Sequence, residues 1–283
     1  MIILKWFGLK NAHPSSTPMA VNMQLKKLKT PTVNIHQYQS MLGSLMYASI
    51  SAHPNISFAV NTLAQHPSAP SEPHLQVLKC VFHYLAGMQE YHLIFNGQIK
   101  DSSLVGYVDA DWASNLNSCH SISGYIFLLS GCLISWAAKK QPSISLSSTE
   151  SEYMATTLAT HEAVFLWQFL IELGFHPPNP IPIFINNQLA IALAYNLEFH
   201  VRTKDIEVHH HYICKKLKDE VIDLKYMSLL IIKLWTFSLN LSKQLNLLKE
   251  FLFLSQALAW RGVLEYSSMW FPYSDYVYYV SLS

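Results

Sequence analysis

Two stretches of this chain place carboxylates where a divalent cation could be held, and a third ends in a pair of amides. Asp109 and Asp111 alternate with Ala110 at the end of the apolar run Leu104 to Asp111. On a strand that alternation sends both carboxylates to the same side. Such a pair reads either as cation ligands or as two solvated acids in a strand-end turn. Glu152 opens the stretch SSTESEYMA and also has two readings. Thr149-x-x-Glu152 has the spacing of a capping box, in which Glu152 would accept from the backbone amide of its own cap. Glu152 also heads a helical stripe of Ala155, Ala159, Ala163, Leu166 and Leu170, which aims it at whatever that stripe covers. The run IPIFINNQ delivers Asn186 and Asn187 to a strand end just before a helix, where an N-cap is wanted.

His209, His210, His211 and Cys214 form a second cluster, with His210 and Cys214 four residues apart on a helix. Zinc ligands use that spacing, but no second ligand pair accompanies them, and a solvated histidine run is the simpler reading. Cys80, Cys119, Cys132 and Cys214 form no C-x-x-C pair, so neither a zinc ribbon nor a disulfide framework is indicated. A reducing, cytoplasmic or nuclear compartment is the expectation. The segment MIILKWFGLKN has Lys5 inside its apolar run and no small-residue cleavage site, so no signal peptide is expected.

The elements that must position these residues follow from periodicity. Leu42, Leu45 and Met46, then Phe58, Ala59 and Leu63, recur at helical spacing, with a break at His53-Pro54-Asn55. A further helix is predicted over His74 to Leu85. The period then shortens. Leu104 to Asp111, Ser123 to Leu129 and Leu133 to Ala137 read as consecutive antiparallel strands. A long helix over Ser148 to Leu173 follows, then a strand over Ile181 to Ile185 and a helix over Gln188 to Tyr195. Lys204 to Lys218 reads as helix and Val221 to Met227 as the last strand. This order predicts a mixed α/β sheet with covered faces. No internal repeat is evident. From Ser228 onward the chain is rich in Leu, Trp, Tyr and Phe without amphipathic order, and no fold is assigned to it. Leu229 to Leu241 is apolar but short and interrupted by Lys233, so no membrane span is expected.

Composition pulls against a nucleic-acid enzyme. Only 13% of the 283 residues are charged and the net charge is +1, whereas proteins that grip phosphate backbones carry a Lys/Arg surplus.

The motifs nevertheless carry a resemblance. STPM (16–19), YQSMLGSLMYA, GYVDADWA (106–113), SGYIFLLSG, ISWAAKKQPSISLSSTESEYMA, NNQLAIALA and RTKDIEVHHHYI (202–213) resemble, in this order, copia-type retrotransposon Pol polyproteins. The likeness covers about residues 1–227. It implies a small, mainly helical reverse transcriptase remnant at 1–97 and a ribonuclease H-like domain at 104–227, with a five-stranded mixed sheet and flanking helices. It leaves 228–283 as an aberrant tail. The implied activity is hydrolysis of RNA in RNA–DNA hybrids with two Mg²⁺ ions, one activating water and the other stabilising the leaving oxygen. The implied metal ligands are Asp109 and Glu152, with Asp111 auxiliary. The family's third acid falls on Asn186, which is neutral. Its fourth should lie in a helix after the last strand, where this chain reads Leu229-Leu230-Ile231-Ile232-Lys233-Leu234. A shifted reading frame would account for that loss, since an alternative frame can encode a motif containing the acid. The resemblance therefore implies a nuclease by descent with weak or absent cleavage. The alternative is an inactive relic or a weak nucleic-acid-binding module.

Other departures run the same way. His53, Cys80, His83, Cys119 and His209 stand where such proteins have Arg. Asn55, Asn115 and Asn186 stand for Asp, Ser114 for Gly, and Ile122 for Thr. Each is one C-to-T or G-to-A transition away. Residues 1–100 contain no Asp, so the paired aspartates that polymerisation needs are not there. The oligomeric state is not legible.

Overall fold

The structure is a computed structural model. It describes residues 2–20, 23, 25–26, 29–89, 93–95, 103–113, 118–178, 180–196, 212–227 and 278–279. The described side chains bury themselves in two apolar clusters, one drawn from residues 4–88 and the other from residues 104–224.

The first cluster is helical. After a short α1 (Ile2–Trp6), α2 (Ile35–Ser51) is capped by Asn34, whose side chain accepts from Gln37 N, and buries Tyr38, Met41, Leu42 and Leu45. The expected break is a 3₁₀ turn over Pro54–Ile56, followed by α3 (Ser57–Leu63). Helix α4 (Glu72–Gly87) starts two residues before the predicted His74. Pro73 sits in its first turn, where a missing N–H costs nothing, and the cap Ser71 donates its N–H to His74 Nδ1 at 3.1 Å.

The second cluster is built on the sheet. Strands β2 (Leu104–Asp111), β3 (Ile122–Leu129), β4 (Cys132–Lys140), β5 (Ile181–Ile185) and β6 (Ile222–Tyr226) lie in the order β4-β3-β2-β5-β6. β2, β3 and β4 pair antiparallel, while β5 pairs parallel to both β2 and β6. This is the five-stranded mixed sheet with flanking helices that the motifs imply. β3 and β4 join through Ser130 and Gly131, both at positive φ, as a tight hairpin turn requires. β4 outruns its predicted end because its backbone pairs with β3 as far as Ile122↔Lys140, leaving Lys139 and Lys140 exposed. β2 needs Gly106: a Cβ there would stand 2.6 Å from Cε1 of the fully buried Phe127.

Helix α5 (Ser148–Glu172) packs across β2 and β3, and every residue of the predicted stripe from Ala155 to Leu170 is buried. α6 (Gln188–Tyr195) and α7 (212–218) follow, and β6 ends one residue short of the prediction at each side. The helical unit meets the sheet where α3 packs on β4, and Trp136 Nε1 of β4 donates to Ser49 O of α2 at 2.7 Å. A two-residue strand β1 (Ile94–Phe95) pairs antiparallel with β7 (Tyr278–Tyr279). The N-terminal half of the predicted helix over Lys204 to Lys218, the histidines 209–211 and the segment 228–277 lie outside the described residues. Among the described residues, no helix is long and apolar enough to cross a membrane.

Candidate metal centre

Sheet pairing assembles the centre. Asp109 lies one residue beyond the last β2–β5 pair, Val108↔Ile185, and Asn186 lies one residue beyond Ile185. The two side chains leave adjacent parallel strands at the same level. Asn186 Nδ2 donates to Asp109 Oδ1 at 2.8 Å. Glu152 arrives from the first turns of α5 at the head of the buried stripe. Asp109 is 2% exposed and Glu152 is 6% exposed, so two carboxyl groups are packed together away from water.

That environment sets the electrostatics. The Glu152 carboxyl is pushed up to about 8, first by burial and then by the negative charge of Asp109. The Ala110 backbone amide and the Asn186 side chain pull it back down, while the hydrogen bond shared with Asp109 raises it. Glu152 Oε2 and Asn186 Oδ1 are both buried with no hydrogen-bond partner. Leaving such oxygens unsatisfied costs about 1–3 kcal/mol each.

Two carboxylates and an amide oxygen fit one hard cation, because Mg²⁺ is commonly held by one or two carboxylates and keeps several waters. The orphaned oxygens are the acceptors such an ion would satisfy. They do not fit two ions. Among the described residues no group of three His, Cys, Asp or Glu side chains is assembled. Asp111 is exposed at the last position of β2 and is not among the groups that shift Glu152.

The capping reading of Glu152 is corrected. The cap of α5 is Ser147, whose Oγ accepts from Glu150 N at 3.1 Å, and Glu150 Oε2 accepts from Leu146 N at 2.7 Å. Ser147-x-x-Glu150 has the same spacing as Thr149-x-x-Glu152, two residues earlier. It takes the capping role and leaves Glu152 for the interior. The cap before α6 is likewise Asn187, which accepts from Ala190 N at 3.0 Å, so Asn186 is left for the centre. Cys214 is buried, with its Sγ donating to Ala194 O at 3.1 Å, so the helical zinc pair has its cysteine engaged in the core.

Gln141 escaped the sequence reading. It is 3% exposed and joins the strand β4 to the α5 entry. The available signal was the density of Ser143, Ser145, Ser147, Ser148 and Ser151 around it, since small hydroxyls crowd where a buried amide must be satisfied.

No protein-family model matches the chain. It is 37% identical over 233 residues to the "Retrovirus-related Pol polyprotein from transposon TNT 1-94" of Nicotiana tabacum, covering 80% of this chain and 17% of that polyprotein. It is 37% identical over 222 residues to the corresponding polyprotein from transposon RE1 of Arabidopsis thaliana, covering 77% of this chain and 15% of that one. It is also 46% identical over 129 residues to the "Secreted RxLR effector protein 161" of Plasmopara viticola, 46% of this chain and 90% of that protein. Two solved structures are similar at low scores. One is RNase H1 of Halobacterium salinarum, at 13% identity and TM-score 0.31, covering 46% of this chain and 89% of that one. The other is the foamy viral protease-reverse transcriptase bound to double-stranded DNA, at 14% identity and TM-score 0.45, covering 73% and 33%. The strand order described above is what identifies the sheet; these scores add nothing to it. By its sequence over some four-fifths of its length, the chain belongs to the retrovirus-related Pol polyproteins of copia-type transposons, of whose length it spans about a sixth.

Proposed function

We propose that residues 104–227 form a ribonuclease H-like domain descended from a Mg²⁺-dependent endonuclease on RNA–DNA hybrids. Its centre has been reduced from two cation positions to one, and residues 1–97 are the trailing part of a reverse transcriptase. When bound, the divalent ions supply an activated water and a stabilised leaving oxygen. Asp109 and Glu152 are the ligands, and Asn186 occupies the place of a third carboxylate.

The observation that carries this reading is the bond from Asn186 Nδ2 to Asp109 Oδ1. It turns a donor toward an oxygen that a second cation needs. At an effective dielectric near 20, a unit charge about 4 Å from a divalent ion is worth on the order of 8 kcal/mol before desolvation, and about 1.4 kcal/mol is a factor of ten in rate. Losing that charge leaves hydrolysis weak or absent. Binding of the hybrid is weak as well, because Arg202 and Arg261 are the only arginines and the net charge is +1.

The test is cleavage of a labelled RNA–DNA hybrid by the purified chain with Mg²⁺ or Mn²⁺. Wild type gives little or no product, Asn186→Asp gives cleavage, and adding Asp109→Ala to that variant abolishes it. Wild-type cleavage at the rate of Asn186→Asp overturns the reading.

A further inference from the structure

The segment that precedes α5 is tied down by one buried amide. Gln141 Nε2 donates to Ser151 O at 2.8 Å, to Ser151 Oγ at 3.3 Å and to Ser123 Oγ at 2.9 Å. Its Oε1 accepts from Ser145 Oγ at 2.8 Å. Its backbone is fixed too: the N–H donates to Ser121 O at 2.8 Å, and the carbonyl lies 2.8 Å from His120 Nδ1. The amide's hydrogens and its oxygen are all used inside the protein, where an unused one would be costly.

The partners matter more than their number. Ser151 immediately precedes Glu152. Ser123 lies opposite Ala110 on β2, and its neighbour Gly124 lies opposite Asp109. A single side chain thus bridges the helix turn that carries one carboxyl and the strand that backs the other. Ser123 and Ser151 are both buried, so no water substitutes readily for the bridge.

We infer that Gln141 is a positioning residue: it fixes the separation of the Asp109 and Glu152 carboxyl groups, and through it the affinity of the centre for a divalent cation. The second half of that statement rests on the reading of Asp109 and Glu152 as cation ligands. The first half does not.

Two measurements on the full chain separate the halves. In the first, Mn²⁺ binding is followed by electron paramagnetic resonance. Gln141→Met removes the donors at similar volume, and Gln141→Asn keeps the amide one methylene short of its partners. Both are expected to weaken Mn²⁺ binding at least tenfold. Ser145→Ala, which removes only the contact on the loop side of the amide, is expected to stay within twofold of wild type. In the second, no metal is present and the unfolding midpoint is read. Glu152→Gln raises the midpoint by relieving the buried pair, and in either Gln141 variant that gain falls to less than half. If Gln141→Met does not fold, Gln141→Asn is read alone.

An equal Glu152→Gln gain with and without Gln141 overturns the positioning role. So does a Ser145→Ala loss of Mn²⁺ affinity as large as that of the Gln141 variants. A wild-type chain that binds no Mn²⁺ overturns the ligand reading, and the metal-free comparison then decides the role of Gln141 by itself.

Discussion

Asn186 and Asp109, 77 residues apart in sequence, meet through a 2.8 Å hydrogen bond in which the amide donates to the carboxylate. The bond stabilises an otherwise crowded pair of acids: it holds the Asp109 charge without adding another. A carboxylate at position 186 could not do this without a cation beside it. On the proposed reading, an asparagine in the place of a metal-ligating carboxylate also makes the metal-free centre easier to fold.

Asn186→Asp should reverse both effects. Without metal, the variant packs a third acid against two buried ones and loses the donor, and a loss of about 1–3 kcal/mol is expected. Adding Mn²⁺ should recover it, since a ligand at 100 times its dissociation constant contributes about 2.7 kcal/mol to the native state. Wild type should gain less from the same addition. Thermal unfolding of both proteins with and without Mn²⁺ checks this. Equal gains would mean that the carboxamide serves the cation as well as a carboxylate does.

Glu152 should make stability fall with rising pH. Its folded-state value of about 8 lies above the roughly 4.3 of an unfolded glutamate. Between those values the native state keeps a proton that the unfolded chain has already released. Glu152 therefore costs nothing below about pH 4. It destabilises progressively through neutrality, and the penalty levels off above pH 8. In Glu152→Gln this slope disappears, so the variant should match wild type most closely at low pH and exceed it increasingly up to pH 8. Chemical denaturation across that range, without divalent ions, is the measurement. A stability difference that does not change with pH would show that Glu152 titrates normally.

The local pattern revealed much of this architecture. Short apolar runs bounded by turn residues mark β2, β3 and β5, and the Ala155 to Leu170 spacing marks the buried face of α5. What it could not resolve was whatever depends on register or on competition. Ser147-x-x-Glu150 and Thr149-x-x-Glu152 satisfy the same capping rule, and only the observed start of α5 separates them. The apolar run Leu133 to Ala137 stops short of β4, whose pairing with β3 extends through Lys139 and Lys140. The Asn186–Asp109 contact requires the parallel β2–β5 pairing, which no local signal encodes. Gln141 draws its importance from partners on β3, on the loop and on α5. Its own neighbours in sequence say little about it.

Gly106 supplies a test of the sheet that is independent of the chemistry. An alanine there would drive its methyl carbon to 2.6 Å from Phe127 Cε1, and Phe127 is fully buried. Overpacking of this kind costs about 1–3 kcal/mol. Gly106→Ala should lower stability by that amount, and pairing it with Phe127→Leu should recover part of the loss. Urea unfolding of the two single variants and the double variant measures it; strictly additive losses would mean that the ring is not what the methyl meets.

Glu152 is free for the centre because Ser147 caps α5. A helix leaves its first N–H groups without intrahelical partners, and a side chain that satisfies one contributes about 1 kcal/mol. In α5 that side chain is Ser147, and Glu150 reaches back to Leu146 N. Ser147→Ala should therefore cost about 1 kcal/mol, whereas Thr149→Ala should stay within about 0.5 kcal/mol. Glu150→Gln keeps an acceptor for Leu146 N but removes the negative charge at the positive end of the helix, for a smaller loss of about 0.3–1 kcal/mol. If Thr149→Ala proved the costlier of the two alanine variants, the cap would lie at Thr149. Glu152 would then be occupied at the helix start, and the buried carboxyl pair with Asp109 would lose its second member.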